Sequence, residues 1–417
     1  MLALAAPPPP GTAAVPVIFG LTCLGLAAGK VPGLKLDRTG IAMLGAIAML
    51  VFGRFPTTAV IGFVNWPTIL LLFGFFVLSA QLRLSGFFDL VALRIARQLD
   101  QPARFLIILM LATAALSALL NHDIVCFVFT PVVAAALLKQ RLNPVPFLIG
   151  LAIASNIGAA ATLVGNPQDM MIAQIAGLGF GQYALWCLAP VLFALACACA
   201  LIWHLSRNQL KTGAPEETVS SAPPCPFDRA HTIKGLVIFI IVIGLFFTSL
   251  PKEIVALTAA AIHLASRKFR TSQLLGLVDW PILVLFMAMF VVTGAFQSAG
   301  YGDSAAQWLA RAGVPLQSPP VLLTVTALLS NVIGNSAAVM LLLKVANLAH
   351  PPSAYILALA NSFGGSLIIL GSVANMIVVE QARELGITIS FRNFARLGVP
   401  VTLAAMAGLL GWVLLVG

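Results

Sequence analysis

Residues Ala154 to Met171 read ASNIGAAATLVGNPQDMM, and Ala360 to Ile377 read ANSFGGSLIILGSVANMI. Superposed, the stretches match Gly158 with Gly364, Gly165 with Gly371 and Met170 with Met376. In the first, Gly165-Asn166-Pro167-Gln168-Asp169 sets a helix-breaking glycine and proline and three polar side chains inside an apolar segment, so the helix must break there. A break exposes carbonyls at one half-helix end, which suit a cation, and amide N–H groups at the other, which suit an anion. Gly371-Ser372-Val373-Ala374-Asn375 is the matching break, without the proline. Ser155 and Asn156, with their counterparts Asn361 and Ser362, lie on the half-helices leading into the two breaks.

Outward from these breaks the repetition continues. Val64-Asn65-Trp66-Pro67 recurs as Val278-Asp279-Trp280-Pro281, each opening a long apolar run that ends near an amphipathic segment, 87–99 or 303–312. The polar triplet Asn121-His122-Asp123 divides apolar helices at 104–120 and 124–138, and Gly334-Asn335-Ser336 divides 320–333 from 337–349. Both triplets are expected to be tips of re-entrant helical hairpins, whose irregular backbone needs protein or water around it in a membrane. The expected fold is an all-α polytopic membrane protein of two inverted repeats, each of five spans plus one hairpin. The first repeat occupies 1–203, with its hairpin near 104–138 and its broken helix near 146–177. The linker is 204–231, and the second repeat is 232–417, with its hairpin near 320–349 and its broken helix near 353–385.

Composition agrees with lipid as the solvent. Of 417 residues 60% are hydrophobic and 9% charged, too little polar surface for a soluble protein of this length. The formal charge of +10 does not point to nucleic acid, because the basic residues sit in short clusters between apolar runs. With the N-terminus outside, 19 of the 23 Lys and Arg residues fall on the cytoplasmic side, leaving Arg54, Lys252, Arg311 and Lys344 outside. The odd number of spans per half then inverts the second repeat and puts the C-terminus outside as well. Met1 to Pro10 has no basic n-region and four consecutive prolines, so no cleavable signal peptide is expected. The six cysteines show no metal-ligand spacing. His204, His231, His263 and His350 are expected to be interfacial, at span ends or loops.

Enzymatic signatures are missing from the sequence: it has no phosphate-cradling loop with its lysine, no paired-histidine zinc helix and no nucleophilic serine elbow. Transport energy must then come from an ion gradient or a partner subunit. Inverted symmetry would bring both hairpin tips and both breaks together near the midplane. His122, Asp123 and Asp169 are ionisable groups at membrane depth, costly there and therefore functional candidates. The preferred reading is a secondary transporter of a small anion, with Asn166, Asn335, Asn375 and hairpin amides forming the site and His122 and Asp123 handling coupling protons or sodium. One alternative is cation/proton antiport on Asp123 and Asp169. A remote one is an intramembrane aspartyl protease using the same two acids, although no Gly-x-Gly-Asp sequence surrounds either.

The paired tips and paired breaks resemble the ion transporter superfamily, which includes citrate and dicarboxylate symporters, arsenite permeases and some sodium/proton antiporters. That family's Ser-Asn-Thr signature aligns with Asn121-His122-Asp123 and with Gly334-Asn335-Ser336. Its Gly-(Ser/Asn)-Pro-x-Asn signature aligns with Gly165 to Asp169, and a similar element with Gly371 to Asn375. Thr130-Pro131 and the Gly165 to Gln168 segment are most similar to the citrate-permease and arsenite-permease branch. The resemblance implies an elevator mechanism, often in a homodimer, in a bacterial-type inner membrane. Here His122 stands at the expected Asn, Asp123 at the Thr and Asp169 at the final Asn, departures that favour proton coupling. No resident cofactor or structural metal is expected; a transported or coupling sodium ion would sit near Asp123 and Asn166.

Overall fold

The computed structural model describes residues 14–29, 35–96, 99, 101–210, 227–346 and 351–416. Expectations for Met1 to Pro10, Lys30, Arg97, Lys211, linker residues 211–226 and His350 lie outside the described residues. Among the described residues the chain is helical, without strands. The first half runs α1 (Ala14–Ala28), α2 (Arg38–Gly53), α3 (Thr57–Phe63), α4 (Trp66–Leu84), α5 (Phe87–Ala96), α6 (Pro102–Leu119), α7 (His122–Lys139), α8 (Val145–Ala159), α9 (Pro167–Ala176) and α10 (Phe180–Ser206). The second half repeats that order: α11 (Arg229–Leu245), α12 (Lys252–Leu264), α13 (Thr271–Leu275), α14 (Trp280–Ser298), α15 (Tyr301–Arg311), α16 (Pro319–Ile333), α17 (Asn335–Val345), α18 (Pro351–Gly364), α19 (Val373–Glu384) and α20 (Phe391–Val416). A 3-10 turn, Ile369–Gly371, lies between α18 and α19. The short α3 and α13 were not anticipated from the sequence.

Local chemistry explains why the motifs recur. Asn65 caps α4 by accepting from Thr68 N at 3.0 Å, and Asp279 caps α14 by accepting from Ile282 N at 3.1 Å. In both, the following Trp-Pro supplies a proline in the first turn, where no N–H is missed. The repeated Trp-Pro motif is therefore a helix-start signal. The longest helices, α10 and α20, each carry an internal proline, Pro190 and Pro400.

Packing follows the same duplication. Helix α4 packs on α12 and α2 on α14; α6 packs on α8 as α16 does on α18; α7 meets α19 as α17 meets α9; and α10 lies along α20. Small residues set two of these approaches. A Cβ on Gly158 would collide with the backbone of Ala114 in α6, and one on the matching Gly364 would lie 2.8 Å from Ala327 Cα in α16. Close backbone approach at small residues is the usual device of membrane helix pairs. Helix α8 is buried from Pro146 to Ala159, whereas α1, α2, α10 and α11 expose Leu21, Ile47, Leu185 and Ile240 outward. That apolar exterior is what lipid requires.

Six described helices are long and apolar enough to cross a membrane: α4, α6, α7, α10, α14 and α20. Both arms of the first expected hairpin are thus 18 residues long and could span by length alone, while the second pair, at 15 and 11 residues, is shorter. His263, expected at a span end, stands in the last turn of α12. It is buried there at 2% exposure, its Nε2 without a hydrogen-bond partner.

Candidate functional site

The two breaks fold as interrupted helices whose second halves are capped locally. Asn166, the N-cap of α9, accepts from Asp169 N at 2.7 Å, with Pro167 in the first turn. Ser372, the N-cap of α19, accepts from Ala374 N at 3.2 Å. Each cap then reaches the other repeat. Asn166 Nδ2 donates to Ser362 Oγ at 3.1 Å, and Ser372 Oγ donates to Asn156 Oδ1 at 2.8 Å. Since Asn166 aligns with Ser372 and Asn156 with Ser362, these are the same bond made once in each direction. Asn156 Nδ2 also donates to Asn375 Oδ1 at 2.8 Å.

The tips dock onto these breaks. Asn121 caps α7 by accepting from Asp123 N at 2.9 Å. His122 points its backbone N and its ring Nδ1 at Gly165 O, each at 3.2 Å, so the first tip is tied to the first break. On the other side, His122 Nε2 lies 3.5 Å from Asp123 Oδ1. Across the repeats, Gln168 Nε2 donates to Ser336 Oγ at 2.7 Å, linking the first break to the second tip. Ser155 accepts from Cys126 Sγ at 3.1 Å and itself donates to Ala152 O, one turn from the tip. Gly334 and Asn335 form the second tip, Gly371 ends the 3-10 turn, and Asn361 lies on the buried face of α18.

What the cluster lacks is donors. Asp123 Oδ1, Asp169 Oδ1, Asn331 Oδ1, Asn335 Oδ1 and Asn361 Oδ1 are all enclosed without a hydrogen-bond partner. Two of the side-chain amides expected to hold an anion donate within the protein: Asn166 Nδ2 also to Asp169 Oδ2 at 2.7 Å, and Asn375 Nδ2 to Gly365 O at 2.7 Å and Ile368 O at 3.0 Å. Enclosed oxygens without donors are costly, the more so on carboxylates that are 6% and 0% exposed. A proton can satisfy such an oxygen only on Asp123 or Asp169; on the three amide oxygens only a hydrogen-bond donor or a small cation can. Donors for an anion would come from the opening turns of α7, α9, α17 and α19, of which α17 alone has no side-chain cap.

Sequence reasoning passed over two members of this cluster. Gln168 stood inside the quoted break. Asn331, one turn before the second tip, donates to Ala327 O at 2.8 Å and to Gly364 O at 2.7 Å, joining α16 to α18. Its only signal was an amide within an apolar run, with no matching polar residue in the first half.

Comparison with known proteins fits this architecture. A family model described as "Citrate transporter" matches residues 24–351. The chain is 30% identical over 365 residues to an uncharacterized transporter of Mycobacterium tuberculosis, covering 82% of this chain and 84% of that one. It is 26% identical, over 94% of its length and 95% of the relative's, to a silicon efflux transporter of Oryza sativa subsp. japonica. It is 29% identical to the inner membrane protein YbiR of Escherichia coli, over 85% and 88% of the two chains. Among solved structures, the YdaH transporter of Alcanivorax borkumensis superposes with a TM-score of 0.58 at 17% identity, covering 98% of both chains, a likeness of fold.

Proposed function

The chain belongs to the citrate transporter family of multi-pass membrane transporters, and we propose that it is a secondary active transporter of a small anion, driven by a proton or sodium gradient. The substrate class is a carboxylate such as citrate or a dicarboxylate, or an oxyanion such as arsenite; the silicon efflux activity in the rice relative's name keeps oxyacids within it. The observation that carries the proposal is the reciprocal pair Asn166–Ser362 and Ser372–Asn156, which ties both breaks together beside the enclosed carboxyl of Asp169, with Asp123 on the tip that His122 bonds to Gly165. Those oxygens suit the coupling cation or proton, and the helix N-termini beside them suit the anion.

In this proposal the halves are inverted in the membrane, both termini are outside, and α6–α7 and α16–α17 are re-entrant. Helices α5–α10 and α15–α20 form a transport unit that moves against a scaffold of α1–α4 and α11–α14, in a homodimer. Supporting it, Asn121, His122 and Asp123 are buried at 5%, 5% and 6% exposure beside Gly165 rather than at a water-facing loop.

Solid-supported-membrane currents from proteoliposomes, screened with citrate, dicarboxylates, arsenite, sulfate, sodium and lithium at two pH values, test the proposal. An anion-evoked current that needs a sodium or proton gradient is expected. Absence of anion uptake under every imposed gradient refutes it. The enclosed acidic oxygens also favour a second reading, cation/proton antiport, whose mark is pH-dependent sodium or lithium exchange without any anion, lost in Asp123→Asn.

A further inference from the structure

Arg38 opens α2, and the register that superposes the two Trp-Pro motifs puts Lys252, the first residue of α12, at the equivalent position. The two cations are differently engaged. Arg38 lies on the second hairpin tip: a Cβ on Gly334 would be 3.0 Å from its Nη1 and 3.4 Å from its Cζ. Gly334 leaves that space open at φ 88° and ψ 153°, a conformation reserved for glycine. Arg38 Nη2 also donates to Leu370 O, in the second break, at 3.4 Å. No carboxylate among the described residues is paired with Arg38.

Lys252 meets a different part of the opposite repeat. Its Nζ donates to Leu178 O at 2.8 Å, just past the far end of α9, and Glu253 beside it accepts from Gln174 Nε2 at 3.0 Å. The residues that would make its contact equivalent to Arg38's are Asn121, the first-tip counterpart of Gly334, and Val164, the first-break counterpart of Leu370. Equally, Arg38 has an unused counterpart of Leu178. The turn after α9, where Leu178 N donates to Ala173 O at 2.9 Å, recurs after α19, where Ile387 N donates to Ala382 O at 2.9 Å. Like sequences in unlike contacts are what an inverted pair shows at one end of its travel.

We propose that Arg38 and Lys252 are positioning residues that exchange partners during transport. In the state seen here Arg38 holds the second tip and break from the cytoplasmic side, while Lys252 holds the outer end of α9. In the opposite state Lys252 holds the first tip and break at Asn121 and Val164, and Arg38 holds the turn after α19 at Ile387. Both cations grip backbone carbonyls, which helix ends and breaks offer unsatisfied. The ten residues of α9, at helical rise, set a displacement on the order of 15 Å between the two states. The exchange rests on the inverted transporter proposed above.

Paired cysteines test it in the full-length protein with its six native cysteines replaced. Arg38→Cys with Leu370→Cys reads the present state, Lys252→Cys with Val164→Cys the opposite one, and Lys252→Cys with Leu178→Cys controls for the accessibility of position 252. With a bifunctional thiol reagent about as long as an arginine side chain, all three pairs are expected to cross-link in membranes, and the first two each to halt transport. Cross-linking at 252–178 but never at 252–164 overturns the exchange. These cross-links need no substrate, so they stand or fall separately from the anion screen. In transport, Arg38→Gln is expected to lower kcat roughly tenfold with KM within about twofold, and Arg38→Lys to restore most of it. A rise in KM at unchanged kcat would make Arg38 a substrate ligand instead and overturn its positioning role.

Discussion

Replacing Asn166 with alanine removes three things at once. The N-cap bond to Asp169 N goes, at about 1 kcal/mol. So does the cross-repeat bond to Ser362, at about 0.6 kcal/mol by the average for membrane helix pairs. Asp169 Oδ2 then loses its donor while Oδ1 already lacks one, adding about 1–3 kcal/mol for an enclosed carboxyl left unsatisfied. The total is about 2.6–4.6 kcal/mol. Ser372→Ala removes the equivalent cap and cross-repeat bond and leaves the neutral amide oxygen of Asn156, not a carboxyl, without its donor, so it costs less, about 2–3 kcal/mol. Unfolding free energies from SDS titration in mixed micelles measure both. Adding Asp169→Asn to Asn166→Ala should recover part of the loss, because a neutral amide brings its own donors. Equal costs for the two single variants, or no recovery in the double variant, would refute the assignment of Asp169 as the source of the difference.

Gly158→Ala is expected to destabilise by about 2–3 kcal/mol in the same assay, because its new methyl meets the backbone of Ala114 rather than a side chain able to turn away. Gly364→Ala, whose Cβ would meet Ala327 Cα at 2.8 Å, should cost less. At the start of α11, Lys268 and the backbone N–H of His231 hold the Asp228 carboxyl well below the usual carboxylate range. A lowered folded-state pKa stabilises fully above the unfolded value of about 3.9 and loses that contribution as pH falls toward the folded value. The stability gap between the native chain and Asp228→Asn should therefore persist at pH 7 and shrink below about pH 4 in thermal unfolding scans. Asp123→Asn should abolish the pH dependence of transport currents while leaving the protein folded; unchanged pH dependence would remove Asp123 from coupling.

Tips and breaks were legible because their chemistry is local. Gly165-Asn166-Pro167 interrupts a helix wherever it stands, and the N-caps at Asn65, Asn121, Asn166 and Asp279 act on amides two or three residues away. The repeat was legible for the same reason, since each local signal recurs in order. Asn331 was not, because an amide in an apolar helix looks the same whether it faces lipid, a neighbour or a site. Arg38 read only as one more cytoplasmic charge, and its place against Gly334 depends on where α2 stands relative to α16 and α17.

Sequence alone settled the class of solvent, the helical fold, the duplication and the positions of the interruptions, all set by composition and by interactions within a few residues. Tertiary structure decided which polar atoms satisfy one another. Asn166 pairs with Ser362, and Ser372 with Asn156, across gaps of 196 and 216 residues. It also decided which oxygens are left over. That remainder depends on how two broken helices cross, and no interval along the chain encodes a crossing. Hence the side-chain amides of Asn166 and Asn375 also hold the breaks together, and enclosed acceptors stand among them.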